Sequence, residues 1–384
     1  MEAVVRAARH CHALPARPLG QAVCDAIAQV AGQPLPEDVL AMVGWYATED
    51  PDPPEVENLS EGEGSPRSDA LHNAAINCTR GRAALAIARL IAEDGARVAR
   101  FRPALERMVA DPVPAVRVAV ADALSMLLRH DRGAAVGLFL RLVDGAPDAA
   151  LAAPPVWRFL RFGMPTHVAA LRAVITRIVR SPEREVATGG AQLACLAALM
   201  FPKLRALADE CLQGSAPERA AAAVVLADNL QLAEVRGFCS DALVRLFDDP
   251  EESVRAATAR CFQRMEGDDL GEHRALAEAF VRSAAFAEGG ATLLRALQRT
   301  TARLTQVACA ACERYVQTAG VAMGDMRTRA AAVSYQVSEV VARAYNEATD
   351  IGDGDLVGRC LDVIDQLAMA RGLGLERVFE LHER

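Results

Sequence analysis

The feature that most constrains the fold of this chain is a helix–turn–helix pattern that recurs along it. Residues 104–124 read ALERMVADPVPAVRVAVADAL, and residues 242–262, ALVRLFDDPEESVRAATARCF, nearly repeat them. A weaker copy, VITRIVRSPEREVA, lies at residues 174–187. Each copy has the end of an apolar-periodic helix, a turn marked by proline, and the start of a second helix. Because proline cannot continue a helix, this order predicts paired helices.

The spacing of the copies predicts how the pairs are arranged. Leu105, Ile175 and Leu243 hold equivalent places and lie 70 and 68 residues apart. Half of that spacing, about 34 residues, is the length of one helix pair in several helical repeat families. We therefore predict an all-α fold, an α-solenoid of helix pairs that share one core.

The composition favours helices over strands. Hydrophobic residues make up 52% of the chain, but aromatic residues only 4%, so the apolar content is mainly alanine, leucine and valine. Alanine and leucine are strong helix formers. No stretch combines β-branched residues with alternating polarity over several turns, so we expect essentially no sheet.

The negative charge is concentrated in one segment. Residues 49–69 hold eight acidic side chains and one basic side chain, a balance of −7 out of −8 for the whole chain. This segment is also rich in proline, glycine and serine, which predicts an acidic flexible linker or loop. The remaining chain is almost neutral, and a dedicated nucleic-acid-binding protein is expected to be strongly basic.

These changes in texture predict four segments. Residues 1–48 form an N-terminal helical segment, 49–69 the linker, 70–300 the repeat solenoid and 301–384 a C-terminal helical capping region. The last segment contains longer helical patterns without the repeat. A solenoid needs such a cap because its last unit would otherwise expose an apolar face.

The cysteines and the apolar stretches indicate a cytoplasmic protein. Ten cysteines are scattered through helical stretches, where free thiols behave as small apolar side chains. Cys309 and Cys312 form a C-x-x-C motif, but no second pair completes a zinc site, so we expect no metal and no cofactor. The longest uncharged stretch, residues 186–202, contains two glycines and a glutamine and is better explained as a buried helix than as a membrane span.

Glycine-rich pieces are predicted to be helix ends. Gly189-Gly190, Gly289-Gly290 and residues 352–354 lie between helical patterns. Glycine adopts a positive φ at little cost, which suits caps and turns. We therefore expect junctions between helices at all three places.

The pattern D-P-x-x-x-V-R in two of the copies resembles the HEAT repeat. In that family the aspartate and the arginine typically link neighbouring units, which implies a structural inter-repeat role for Asp111, Arg117, Asp249 and Arg255. The copy at residues 174–187 departs from the pattern, with Ser181 for the aspartate and Ala187 for the arginine. The resemblance implies an architecture and no particular chemistry, although some proteins with this fold are DNA glycosylases or bilin lyases.

The two ends of the chain carry a second resemblance. Residues 34–53, PLPEDVLAMVGWYATEDPDP, and 359–384, RCLDVIDQLAMARGLGLERVFELHER, resemble the C-terminal helical repeat regions of large bacterial STAND-type NTPases of the AVAST-like antiviral group. This resemblance implies a sensor region attached to a nucleotide-binding switch. The chain has no G-x-x-x-x-G-K-[ST] motif, so we expect no nucleotide site within it.

The segment 157–166, WRFLRFGMPT, is the candidate contact with a partner. It interrupts the small-residue texture with Trp157, Phe159 and Phe162 and with Arg158 and Arg161. One interpretation is a bulky core wedge. The other is a patch for a partner, with Trp157, Arg158 and Arg161 as contacts, because tryptophan and arginine are enriched in interface hot spots.

The sequence shows no nucleophile and base placed for catalysis. We therefore expect a non-enzymatic protein-interaction or scaffold function with a protein partner. The alternative is a nucleic-acid-binding solenoid similar to DNA-repair proteins, which requires arginines gathered on one face. A third interpretation, an enzyme or chaperone with this fold, requires a deep pocket with convergent polar groups.

Overall fold

The computed structural model describes residues 1–51 and 67–370, and within them the secondary structure is almost entirely α-helical. The first helices are α1 (Glu2–Ala13), α2 (Gly20–Gln29), α3 (Glu37–Thr48), α4 (Arg67–Ile76), α5 (Thr79–Glu93), α6 (Val98–Met108), α7 (Pro114–Leu127), α8 (Arg132–Val143), α9 (Asp148–Leu151), α10 (Pro154–Val179) and α11 (Arg184–Met200). The others are α12 (Arg205–Leu212), α13 (Ala216–Asp228), α14 (Arg236–Leu246), α15 (Glu252–Thr258), α16 (Asp269–Glu272), α17 (Arg274–Arg282), α18 (Phe286–Arg299), α19 (Thr305–Ala319), α20 (Arg329–Ile351) and α21 (Gly354–Met369). The extended pairing in these residues is one isolated bridge, between Gly267 and Thr300.

The helices form antiparallel pairs whose second members stack on one another. In the first pair of the repeat, α6 leads through the Asp111 turn into α7, and α7 packs between α5 and α10. In the second half of the chain α14 leads into α15, α15 packs on α13 and α18, and α18 packs on α20. The predicted all-α solenoid of HEAT-like helix pairs is therefore confirmed.

The chain divides into two compact units, Met1–Leu207 and Ala208–Arg384. These bounds differ from the four predicted segments, which followed changes in sequence texture. Residues 52–66 of the predicted linker and residues 371–384 of the predicted cap lie outside the described residues. Helix α4 begins at Arg67, so the predicted end of the linker at residue 69 falls inside a helix.

Helix α10 is two helices of the repeat joined without a loop. Pro165 and His167 lie inside it, and His167 has non-helical dihedrals, φ −133° and ψ 30°. Since proline has no N–H, Pro165 removes the helical hydrogen bond to the carbonyl of Arg161, and the helix bends there. The part before the bend packs on α7 and α8, and α10 also packs on α11, so one continuous element supplies the second helix of one pair and the first helix of the next.

The glycine pairs are not turns, and this prediction was wrong. Gly189 and Gly190 lie inside α11, and Gly289 and Gly290 lie inside α18. A β-carbon at Gly289 would stand 2.2 Å from the β-carbon of Ala259, so these glycines let neighbouring helices approach closely. The third prediction was correct, because Gly352 ends α20 in the left-handed conformation with φ 73°.

The cysteines lie in the interior of the structure. Nine of the ten cysteines are buried, Cys11 is half-buried, and all are free thiols. None of the described helices combines the length and the apolar character that crossing a membrane requires.

Candidate protein-binding surface

Asp111, the aspartate of the D-P-x-x-x-V-R pattern in the first copy, contacts the helix pair that precedes it. Its carboxylate Oδ2 lies 3.3 Å from Nε of Arg80, which is at the start of α5, and both side chains are largely buried. Its Oδ1 accepts a hydrogen bond of 2.9 Å from the N–H of Val113. Asp111 therefore stabilises the turn between α6 and α7, and it also links this turn to α5, the second helix of the preceding pair.

Asp249 makes the same two connections with better geometry. Its two carboxylate oxygens accept from Nε and Nη2 of Arg219 at 2.6 and 2.9 Å, and Oδ1 accepts from the N–H of Glu251 at 2.9 Å. Burial raises the pKa of Asp249, but the hydrogen bonds from Arg219 and Glu251 and the charge of Arg255 outweigh it, so the pKa lies below its ordinary value. A two-pronged arginine–carboxylate pair of this kind fixes both distance and orientation.

Arg255 extends the connection to the following pair. Its Nε donates to Glu288 Oε1 of α18 at 3.0 Å, and its Nη1 donates to the carbonyls of Asp249 and Pro250 at 2.8 and 3.0 Å. Hydrogen bonding to Glu288 raises the pKa of Arg255. One side chain thus joins its own turn to the next second helix.

Arg117 holds the equivalent place in the first copy but is arranged differently. It is half-buried, and its Nε makes no hydrogen bond with any described group. Burial lowers the pKa of Arg117, and the charge of Asp111 opposes that shift. The equivalence to Arg255 in sequence therefore does not extend to a carboxylate partner in the next helix.

In the weaker copy the polar contact is reversed. Ser181, at the place of the aspartate, donates a hydrogen bond of 2.7 Å to Asp148 of the preceding pair, and Arg177 lies 2.8 Å from the same carboxylate. Hydrogen bonding by Ser181 and by Arg177 together outweighs burial and lowers the pKa of Asp148. The polar link to the preceding pair is therefore present in this copy too, but here the preceding pair supplies the carboxylate and the later residues supply the donors.

The partners of these links were missing from the sequence interpretation. Arg80 precedes Asp111 by 31 residues, Arg219 precedes Asp249 by 30, and Glu288 follows Arg255 by 33. These separations are close to one repeat length. A search for opposite charges one repeat away from each D-P-x-x-x-V-R position would have found them.

The segment 157–166 divides into a packed part and an exposed part. Trp157 is half-buried, its Nε1 donates to the carbonyl of Leu151 at 2.8 Å, and its ring fills the space beside Gly189, where a β-carbon would stand 1.8 Å from the ring. Phe159 is fully buried and stacks on Phe139 with ring centres 3.9 Å apart. These two aromatic residues therefore hold α10 against its neighbours.

Arg158 is engaged within the molecule. It forms an ion pair with Asp122 of α7, whose side chain is 12% exposed. Burial raises the pKa of Asp122, and the charges of Arg158 and His72 oppose that shift. The arginine therefore links two stacked second helices.

The exposed part of the segment is Arg161 and Phe162. Phe162 is 61% exposed, and the next most exposed large apolar side chain among the described residues of the first unit is Met1, at 50%. It borders an open cavity of about 350 Å³ together with the end of α7 and the start of α8. We call this cavity wall the Phe162 surface; it consists of Ser125, Met126, Leu128, Arg129, Arg132 and Phe162.

The arginines of the Phe162 surface form no ion pair with the residues that the structure describes. Arg129 and Arg132 are exposed, as is the neighbouring Arg161. No carboxylate of the described residues lies within 4 Å of any of the three, whereas Arg158 one turn earlier is paired. Arg132 donates to the hydroxyl of Thr166 at 3.1 Å, which holds it beside the end of the first part of α10.

Sequence reasoning missed most of this surface. Arg129, Arg132 and Met126 lie about one repeat before Phe162 and become its neighbours only because α7 and α10 stack side by side. The signal that could have found them is the same repeat offset that joins Arg158 to Asp122, which are 36 residues apart.

The substitutions Trp157→Ala and Arg161→Ala test the division of segment 157–166 into a packed part and an exposed part. We expect Trp157→Ala to lower the free energy of unfolding by about 2 kcal/mol, because a large, partly buried ring is removed and leaves a cavity beside Gly189. Arg161→Ala is expected to change it by less than about 0.5 kcal/mol, as is usual at the surface. Urea unfolding followed by circular dichroism measures both, and equal effects would contradict the division.

The other chemical candidates do not form a site. Cys309 and Cys312 are both fully buried, and Cys309 shares a hydrogen bond with Cys360 that, with burial, raises the pKa of its thiol. In the part of the chain that the structure describes, no three histidine, cysteine or acidic side chains are grouped so as to hold a metal ion.

Comparison with known proteins supports the repeat. A search among curated proteins found no match to this chain. The family described as HEAT repeat matches residues 101–130, which hold most of α6, the Asp111 turn, α7 and the Arg129 edge of the Phe162 surface.

Proposed function

We propose that this chain is a non-enzymatic protein-interaction module that uses the Phe162 surface. HEAT repeats are commonly protein-interaction scaffolds, and the repeat match includes the helix that forms one wall of this surface. The observation that carries the proposal is the exposed Phe162 beside an open cavity and beside arginines that have no ion-pair partner within residues 1–51 and 67–370. Exposed aromatic and arginine side chains next to a pocket are typical of binding hot spots.

The finer part of the proposal concerns the setting in which the module acts. The resemblance of residues 34–53 and 359–384 to bacterial STAND-type NTPases supports a recognition region of a defence or signalling protein. On this proposal the chain acts in the bacterial cytoplasm, where scattered free cysteines remain reduced. The switch that hydrolyses nucleotide would then be supplied outside this sequence.

Affinity capture from the native host tests this function. The purified chain is the bait, lysates are prepared with and without phage infection, and each is divided into nuclease-treated and untreated portions. Captured proteins are identified by mass spectrometry, produced separately and tested for direct binding to the chain by calorimetry.

Direct binding of a purified, nuclease-resistant partner is the expected result. A partner that is captured only after infection supports the defence setting, and one captured equally from uninfected cells argues against it. Capture that disappears with nuclease favours the nucleic-acid-binding alternative and overturns the proposal.

A further inference from the structure

We propose that the Phe162 surface binds an acidic peptide segment of a partner protein, which inserts one apolar side chain into the cavity. This inference rests on the proposed interaction function and specifies the chemistry of the partner. It follows from two independent observations, the shape and lining of the cavity and the charge around it.

The apolar centre of the surface has room for an anchor. Phe162, Met126 and Leu128 line an open cavity of about 350 Å³. Leu128 is only 5% exposed, so the floor of the cavity consists of a buried core side chain. This volume is near the lower limit for small-molecule pockets, and the cavity lacks convergent buried polar groups. It is better suited to one large side chain of a peptide that lies across the surface.

The charge at the edge of the cavity selects an acidic partner. Arg129 and Arg132 border the cavity, and neither lies within 4 Å of a described carboxylate. The nearest acidic residue in sequence, Asp131, accepts a hydrogen bond from the N–H of Ala134 at 2.9 Å and lies 3.5 Å from Arg102. Its charge is thus occupied by a helix end and another arginine, which leaves the two rim guanidinium groups to bind carboxylates.

A nucleic acid fits this surface less well. A phosphate backbone needs cations that continue along a groove. On the helix that carries Phe162, Arg158 is paired with Asp122 and Arg177 with Asp148, so carboxylates interrupt the row of cations. The chain as a whole also has a net charge of −8, which opposes the approach of a polyanion.

Peptide selection tests the inference without knowledge of the partner. A displayed library of random 12-residue peptides is selected on the full chain and counter-selected on Phe162→Ala. The enriched peptides are then synthesised with a fluorophore, and their binding is measured by anisotropy to the wild type, Phe162→Ala, Arg129→Glu and Arg6→Glu. Arg6 is an exposed arginine of α1 and provides the matched charge control. A fluorescent 12-nucleotide single-stranded DNA is measured in parallel.

We expect the enriched peptides to be acidic with one leucine or aromatic residue. Phe162→Ala and Arg129→Glu should each weaken binding at least tenfold, Arg6→Glu less than twofold, and replacement of the peptide's glutamates by glutamine at least fivefold. Selection of neutral or basic peptides, or of none, overturns the inference, as does DNA binding that Arg129→Glu abolishes in the absence of peptide binding.

Failure of this inference can be distinguished from failure of the proposed interaction function. If a purified partner from the host binds the wild type and binds Phe162→Ala equally well, the interaction function stands and the Phe162 surface is not its site. If circular dichroism shows that a variant is unfolded, Phe162→Ser and Arg129→Gln replace it, since both side chains are exposed and neither substitution removes core packing.

Discussion

Gly190→Ala is expected to lower the free energy of unfolding of the first unit by about 3 kcal/mol. A β-carbon at this place would stand 2.8 Å from both N and Cα of Val179 and 2.9 Å from the carbonyl carbon of Ile178. All three are backbone atoms, so no side-chain rotation can relieve the overlap. Helix α11 would have to move away from α10, and tightly packed interiors resist such a displacement.

Gly137→Ala is the matched control and is expected to have the opposite sign. Gly137 lies in the middle of α8, is exposed, and has no atom within 4 Å of the place of a β-carbon. Alanine there should raise the free energy of unfolding by about 0.5–1 kcal/mol, because glycine costs backbone entropy in a helix. Urea unfolding of both variants by circular dichroism measures the pair, and a stabilising Gly190→Ala would show that α10 and α11 are not in close contact.

The same glycine shows what the sequence could and could not predict. Local periodicity and the placement of prolines were sufficient to predict the helix pairs and their turns at Asp111 and Asp249. They were also sufficient to predict the absence of sheet in the described residues. A helix-interior glycine that admits a neighbouring backbone has the same local signal as a glycine at a helix end. The two are distinguished only by residues that are distant in the chain, such as Val179 for Gly190.

The candidate surface shows the same limit. Trp157, Arg158 and Arg161 stood out because of their residue types, yet the structure places Trp157 against Gly189 and Arg158 against Asp122. Phe162, which the sequence grouped with the others, is the exposed aromatic member of the segment, and Arg161 beside it is exposed as well. Exposure depends on which face of α10 meets α7 and α8, and contacts between residues distant in the chain, Phe159 with Phe139 and Arg158 with Asp122, define that face.

Asp249→Asn is expected to lower the free energy of unfolding by about 2–3 kcal/mol at pH 7. The substitution keeps the shape of the side chain but removes the charge that accepts two hydrogen bonds from Arg219, whose side chain is 18% exposed. Breaking a mostly buried pair from one side leaves the other charge uncompensated, which is more costly than losing an exposed pair. Denaturant unfolding at several pH values, with wild type and variant side by side, measures the effect.

Asp122→Asn is the matched comparison, and its pH dependence should run the other way. The pKa of Asp249 is lowered in the folded state, so its stabilising effect is present above about pH 4 and is lost as the pH falls through the folded-state pKa. The pKa of Asp122 is raised, chiefly by burial, so its ionisation reduces stability as the pH rises from about 4 through its folded-state pKa.

Asp122→Asn should therefore cost less than about 1 kcal/mol at pH 7, since loss of the Arg158 pair is offset by relief of the buried charge. Because both substitutions exchange a carboxylate for an amide beside an arginine, equal costs at pH 7 or parallel pH profiles would show that the bidentate geometry of Asp249 gives it no special role in joining the repeats.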